Sequence, residues 1–165
     1  MYIYSLCCNE NVKYFFLDGI NFLSLHKKYV VRYMNIQDYR TTLVGIGINA
    51  EQDSNNMYRL NAHYRQLHFV FEHDTTDDPY YFRTVLPVVA DTSNGTIVDH
   101  ERVNEFNTIF KATKIIQQGT RYHIVSEQFV FDYNTLGTVI QRVVEIMIAE
   151  ITQFHRTINN NRNDR

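Results

Sequence analysis

Between residues 36 and 158 the spacing of apolar positions changes several times, and each change marks an element. Ile36, Tyr39, Leu43 and Ile46 recur at helical spacing. They predict an amphipathic helix over 36–46, ended by Gly45 and Gly47. Glu51 to Asn56 is polar and reads as a turn. The period then drops to two. Tyr58, Leu60 and Ala62 alternate with Arg59, Asn61 and His63. Leu67, Phe69 and Phe71 alternate with His68, Val70 and Glu72. Tyr80, Phe82, Thr84 and Leu86 alternate with Tyr81, Arg83 and Val85. Three strands rich in aromatic and β-branched residues follow from this. Thr75-Thr76-Asp77-Asp78-Pro79 is the turn before the third. Pro87 is expected near the end of that strand, where an edge tolerates its missing N–H.

Asp91 to Gly95 reads as a loop. Thr96 and Asp99 have the spacing of a capping box and open a second helix over about 97–108, carried by Val103 and Phe106. Lys111–Gln117 and Arg121–Phe131 alternate around Gln118-Gly119-Thr120, a hairpin signal. Leu136, Ile140, Val143, Met147, Ile151, Phe154 and Ile158 form one long stripe. That predicts a last helix over 135–158, about 36 Å long, followed by a polar, frayed tail over 159–165. The expected order is α-β-β-β-α-β-β-α. It describes an α+β domain over 34–158, with a five-stranded, mainly antiparallel sheet and helices on one face.

Residues 1–33 read as an extension, weakly ordered or packed on the sheet. Met34 is an alternative start, because Asn35-Ile36-Gln37-Asp38 opens a helix. Asp18 interrupts the apolar run from Tyr14 to Leu25, and Met1 to Cys8 contains no basic residue. The run is too short and too polar to span a bilayer and makes a poor signal peptide, so no membrane association is expected.

Composition narrows the classes further. A chain of 165 residues, 44% hydrophobic and 21% charged, with 2 Pro and 6 Gly, has the make-up of a folded domain rather than a disordered or fibrous one. A net charge of −2 builds no field for nucleic acid. Lys and Arg do not cluster among the aromatics, and Arg156, Arg162 and Arg165 are too sparse for a phosphate patch, so no nucleic-acid partner is expected. Cys7 and Cys8 are adjacent and form no disulfide framework, which suits reduced thiols and a cytoplasmic location.

Four constellations carry possible chemistry. Gly45-Ile46-Gly47-Ile48-Asn49-Ala50 matches a dinucleotide fingerprint, but the polar stretch that follows is not the helix such a site needs. No cofactor is expected. His63, His68 and His73 invite a metal. Along a single strand His68 and His73 face opposite sides, and His63 and His73 lie about 33 Å apart, so no metal is expected. Glu72, Asp74, Asp77 and Asp78 lack the central Gly of a calcium loop and read as a soluble acidic turn. An enzyme or small-ligand reading would need a concave pocket joining two or more of His63, His73, His123, Glu127 and Asp132 within hydrogen-bond reach, and no nucleophile, phosphate-loop or zinc-protease motif accompanies them.

Val103-Asn104-Glu105-Phe106-Asn107 ends the middle helix on an Asn-rich apolar segment before a hairpin. Asp77-Asp78-Pro79-Tyr80-Tyr81-Phe82 makes a turn into a strand, and a long helix starts near Leu136. In this element order, over about 36–158, the chain resembles the class I type III secretion chaperones and the related YbjN-like sensory-transduction regulators. The resemblance implies a non-enzymatic protein-binding domain that forms homodimers. The strands are bulky on both parities, as in Phe69-Val70 and Tyr80-Tyr81. The face without helices is then either covered by residues 1–33 or open to a partner or second copy. Phe69, Phe71, Tyr81 and Ile115 are the expected partner-binding residues. Val103, Phe106 and Phe110 are the expected dimer residues.

Overall fold

The computed structural model of the chain describes residues 5–7, 12–15, 31–32, 34–74 and 78–163, with side chains over 34–74 and 78–157. Two compact units divide it, Met1–Met34 and Asn35–Arg165. The first holds a small antiparallel sheet of β1 (Ser5–Cys7), β2 (Val12–Phe15) and β3 (Val31–Arg32), in that order. The extension therefore carries strands of its own. Cys8, the side chains of residues 1–33 and residues 164–165 lie outside the described residues, as do Thr75, Thr76 and Asp77 of the expected turn.

The second unit is an α+β domain. Its elements are α1 (Ile36–Gly45), β4 (Asn49–Gln52), β5 (Arg59–Tyr64), β6 (Leu67–Glu72), β7 (Tyr81–Asp91), α2 (His100–Ile109), β8 (Lys114–Gln118), β9 (Arg121–Phe129) and α3 (Tyr133–Asn163). The six strands lie in the order β4-β5-β6-β7-β9-β8, and every neighbouring pair is antiparallel. The expected five strands become six because the polar stretch after Gly47 starts as an edge strand. In β4 only Ala50 is buried, opposite Ala62, so an edge with one inward residue leaves no alternation to read. Gly47, at φ 81, makes the reversal between α1 and β4.

Asn35, in the stretch expected to open a helix, is the N-cap of α1. Its side chain accepts from the N–H groups of Gln37 and Asp38, while Asp38 accepts from Asn35 N–H at 3.0 Å. The middle helix starts later than expected, with Asp99 as its N-cap, because Thr96 turns back to Asn94 instead. The last helix starts earlier and runs further. It spans 31 residues, about 46 Å, so most of the expected tail is helical.

Pro87 is not at an edge. Strand β7 is central and runs on to Asp91, and the missing N–H falls where pairing lapses. Pairing to β6 stops at Val85, and pairing to β9 shifts between Leu86 and Ala90. Val88, at φ 54, forms the irregularity, and its N–H donates to His123 Nδ1 at 3.2 Å.

One face of the sheet buries Leu60, Ala62, Phe69, Phe71, Phe82, Leu86, Ile115, Tyr122 and Ile124. Against it pack Tyr39 and Leu43 of α1, Val103 and Phe106 of α2, and the α3 stripe of Leu136, Ile140, Val143, Met147, Ile151 and Phe154. Gly137 brings α3 close to α1, since a Cβ there would sit 3.4 Å from the methyl groups of Ile46 and Thr42.

The β5–β6 hairpin closes through Arg65 and Gln66, at φ 47 and 66, with Tyr64 opposite Leu67. Both residues occupy the left-handed region that a two-residue hairpin of this type needs, and neither is Gly or Asn. Gln66→Gly is therefore expected to stabilise the domain by about 0.5–1 kcal/mol. Urea unfolding measures this, and an unchanged midpoint would show that the turn is unstrained.

Candidate functional site

The face of the sheet opposite the helices carries charge in its middle. Glu72 accepts from Arg59 at 2.6 Å and from Arg83 at 3.3 Å. Arg83 also lies 3.9 Å from Glu127, and Tyr81 donates its hydroxyl to Glu127 at 2.9 Å. Partial burial, and then the bond to Glu127, push the Tyr81 phenol up to about 12. Val70, Val85, Val125 and Ile116 floor a shallow basin of about 300 Å³ beside these ions. Its arginines are matched by carboxylates, so it offers little net charge to a ligand.

Of His63, His68, His73 and His123, His123 alone lines this basin. His63 and His68 sit opposite each other on β5 and β6, with rings 5.0 Å apart. Reasoning along one strand missed this contact, because a hairpin folds between them. Burial first, and the neighbouring His63 second, hold His68 below the usual imidazole range. His73 is buried, 4.4 Å from the Tyr39 ring, with Nδ1 2.7 Å from the Tyr81 carbonyl. His123 is bound to Val88 N–H, and Asp132 caps the start of α3 through Asn134 N–H. Among the described residues no group of three or more His, Cys, Asp or Glu is placed to hold a metal. Gly45 and Gly47 end a helix and lead into β4, so they present no helix N-terminus to a phosphate.

Of the expected partner residues, Phe69, Phe71 and Ile115 are core residues beneath the helices, not a docking face. The expected set mixed the two faces, because parity sorts residues along one strand and says neither how strands match nor which face the helices take. Val103 and Phe106 are likewise spent on packing within the domain, with the Phe106 ring edge-on to Phe154 at 5.7 Å. Tyr81 and Phe110 remain accessible.

Strand addition at the sheet edges is hindered. On β8, Asn107 donates to Ile115 C=O at 3.1 Å and accepts from Ile115 N–H at 2.7 Å, so a side chain of α2 imitates a neighbouring strand. On β4, Arg40 donates to the Ala50 carbonyl at 3.2 Å.

Two apolar surfaces stay open. An apolar cleft of about 530 Å³ runs between the α2–β8 connection and α3, lined by Ile109, Phe110, Ala112, Ile146 and Ala149. The second surface is the end of the sheet where β7 begins and β9 finishes. Tyr81 pairs with Phe129 at 5.6 Å and Tyr80 with Phe131 at 5.0 Å. Phe129 is 58% exposed and Phe131 75%. Phe129 and Phe131 were absent from the expected site. The signal available was the bulky Phe129-Val130-Phe131 triplet directly before a helix cap.

No helix among the described residues is long and apolar enough to cross a membrane. No family model matches the chain, and neither does any curated protein. Among solved structures it is similar to an uncharacterized protein from Methanothermobacter thermautotrophicus, at 11% identity and a TM-score of 0.49, over 74% of this chain and 97% of that one.

Proposed function

We propose that this chain is a non-enzymatic, chaperone-like or regulatory protein-binding domain. In this reading it holds a partner segment on the aromatic end of its sheet. The carrying observation is the exposure of Phe129 and Phe131 beside Tyr80 and Tyr81. Large aromatic side chains left in water at one place are the usual anchors of protein interfaces. The element order expected from the sequence resembles that of the class I secretion chaperones and YbjN-like regulators, which implies the same class, although β4 is added to that order here.

Self-association belongs to the other open surface. The cleft beside Phe110 is apolar, and Ile109 at its rim is 68% exposed. Phe106 is unsuited to test the dimer, because its substitution would damage the core. Light scattering on the full chain is expected to give a dimer, and Ile109→Asp to give a monomer with unchanged circular dichroism. A monomeric wild-type chain would remove self-association from this reading.

A further inference from the structure

We infer that the segment held at the aromatic end is basic, carrying Lys or Arg between apolar residues. The inference rests on the protein-binding reading above and concerns the same surface. Its ground is the charge around the rings. Asp78, Glu127 and Asp132 lie within the two short stretches that build the surface, 78–82 and 127–133, and neither stretch contains Lys or Arg. Arg83 lies 3.9 Å from Glu127 on the basin side. Asp78 and Asp132 have no cationic partner among the described residues. Their local hydrogen bonds, from the N–H groups of Tyr80 and Asn134 and from the Asn134 side chain, all fall on Oδ1. Among the described residues no hydrogen bond falls on Oδ2 of either.

The rings add to this. An aromatic face attracts a cation within about 6 Å of its centroid, and the alkyl stem of Lys or Arg covers apolar surface on the way. Phe129 and Phe131 thus offer both the apolar contact and a face for the charge, with carboxylates beside them. An acidic segment would meet the same carboxylates as like charges and be repelled. An uncharged apolar segment would gain the ring contact alone.

Fluorescein-labelled peptides of about twelve residues test this, with Leu alternating with Lys, with Ser or with Glu. Each is titrated with the full chain and followed by anisotropy. The Leu/Lys peptide is expected to bind about tenfold or more tighter than Leu/Ser, with Leu/Glu weakest. The preference should shrink in about 0.5 M salt. It should also shrink in Asp78→Asn with Asp132→Asn, where the amide oxygen can keep the local hydrogen bonds while the charge is lost. Phe129→Ser with Phe131→Ser should abolish binding, and an unchanged Leu/Lys affinity in that variant would overturn the proposal. Equal affinity for Leu/Lys and Leu/Ser, or a preference for Leu/Glu, overturns the charge assignment and leaves the protein-binding reading standing. Failure of all three peptides to bind removes both.

Discussion

Raising the pH from about 5 to about 8 is expected to cost the domain about 3 kcal/mol through a single side chain, Glu150 of α3. Glu150 is fully buried, and neither of its carboxyl oxygens makes a hydrogen bond. The hydroxyl of buried Thr113 also lacks one. Burial pushes the Glu150 carboxyl up to about 7 from an ordinary 4.5, against smaller opposing effects of Thr113 and Lys114. Below 4.5 both the folded and the unfolded chain hold the proton, and the full stability is present. Between 4.5 and about 7 only the folded chain holds it, so stability falls as pH rises. Above about 7 the loss is complete, at about 1.4 kcal/mol for each tenfold change in proton affinity. Glu150→Gln is expected to flatten this part of the profile, because the amide never ionises. His68 and His123, both held below 6.5, act in the opposite sense and lose stability as pH falls. The difference between wild type and Glu150→Gln in urea unfolding therefore isolates Glu150. Parallel profiles for the two proteins would show that the carboxyl is solvated in solution.

Val143→Asp is expected to abolish cooperative folding at neutral pH. Val143 is 3% exposed and lies in the α3 stripe, with Ile140 and Met147 buried on the same stripe. An aspartate there would be a buried charge without a partner, costing several kcal/mol, against a total stability of about 5–15 kcal/mol for a domain of this kind. Thr138→Asp, on the exposed side of the same helix, should change stability by no more than about 0.5 kcal/mol. Thermal melts followed by circular dichroism distinguish the two. A sharp melt for Val143→Asp near the wild-type midpoint would mean that α3 does not form the core.

The α3 stripe, the opening of α1 at Asn35 and the alternation along β5, β6 and β7 were all legible along the chain. Each depends on neighbours within a few residues, where helical or strand periodicity and capping geometry are local matters. Strand β4 was not legible, because it becomes a strand only by pairing with β5 and has one buried residue to betray it. Pro87 pointed to an edge on local grounds, yet a central strand holds it at a break in pairing on both sides.

The candidate site divides in the same way. The sequence by itself determined that the strands are bulky on both faces and that the turn near Asp78 is acidic. Only the tertiary structure decided that Phe69, Phe71, Ile115, Val103 and Phe106 are core, and that Phe129 and Phe131 are left in water. Alternation sorts residues into two faces but is symmetric between them. That symmetry is broken only when helices from elsewhere in the chain settle on one side. The partners of His63 and Asn107 likewise come from folding, through a hairpin and a helix–strand contact. Glu150 shows the limit most plainly. It stands three residues after Met147 and four before Phe154, on the apolar stripe itself, but only the packing around Thr113 shows that its carboxyl is fully buried there.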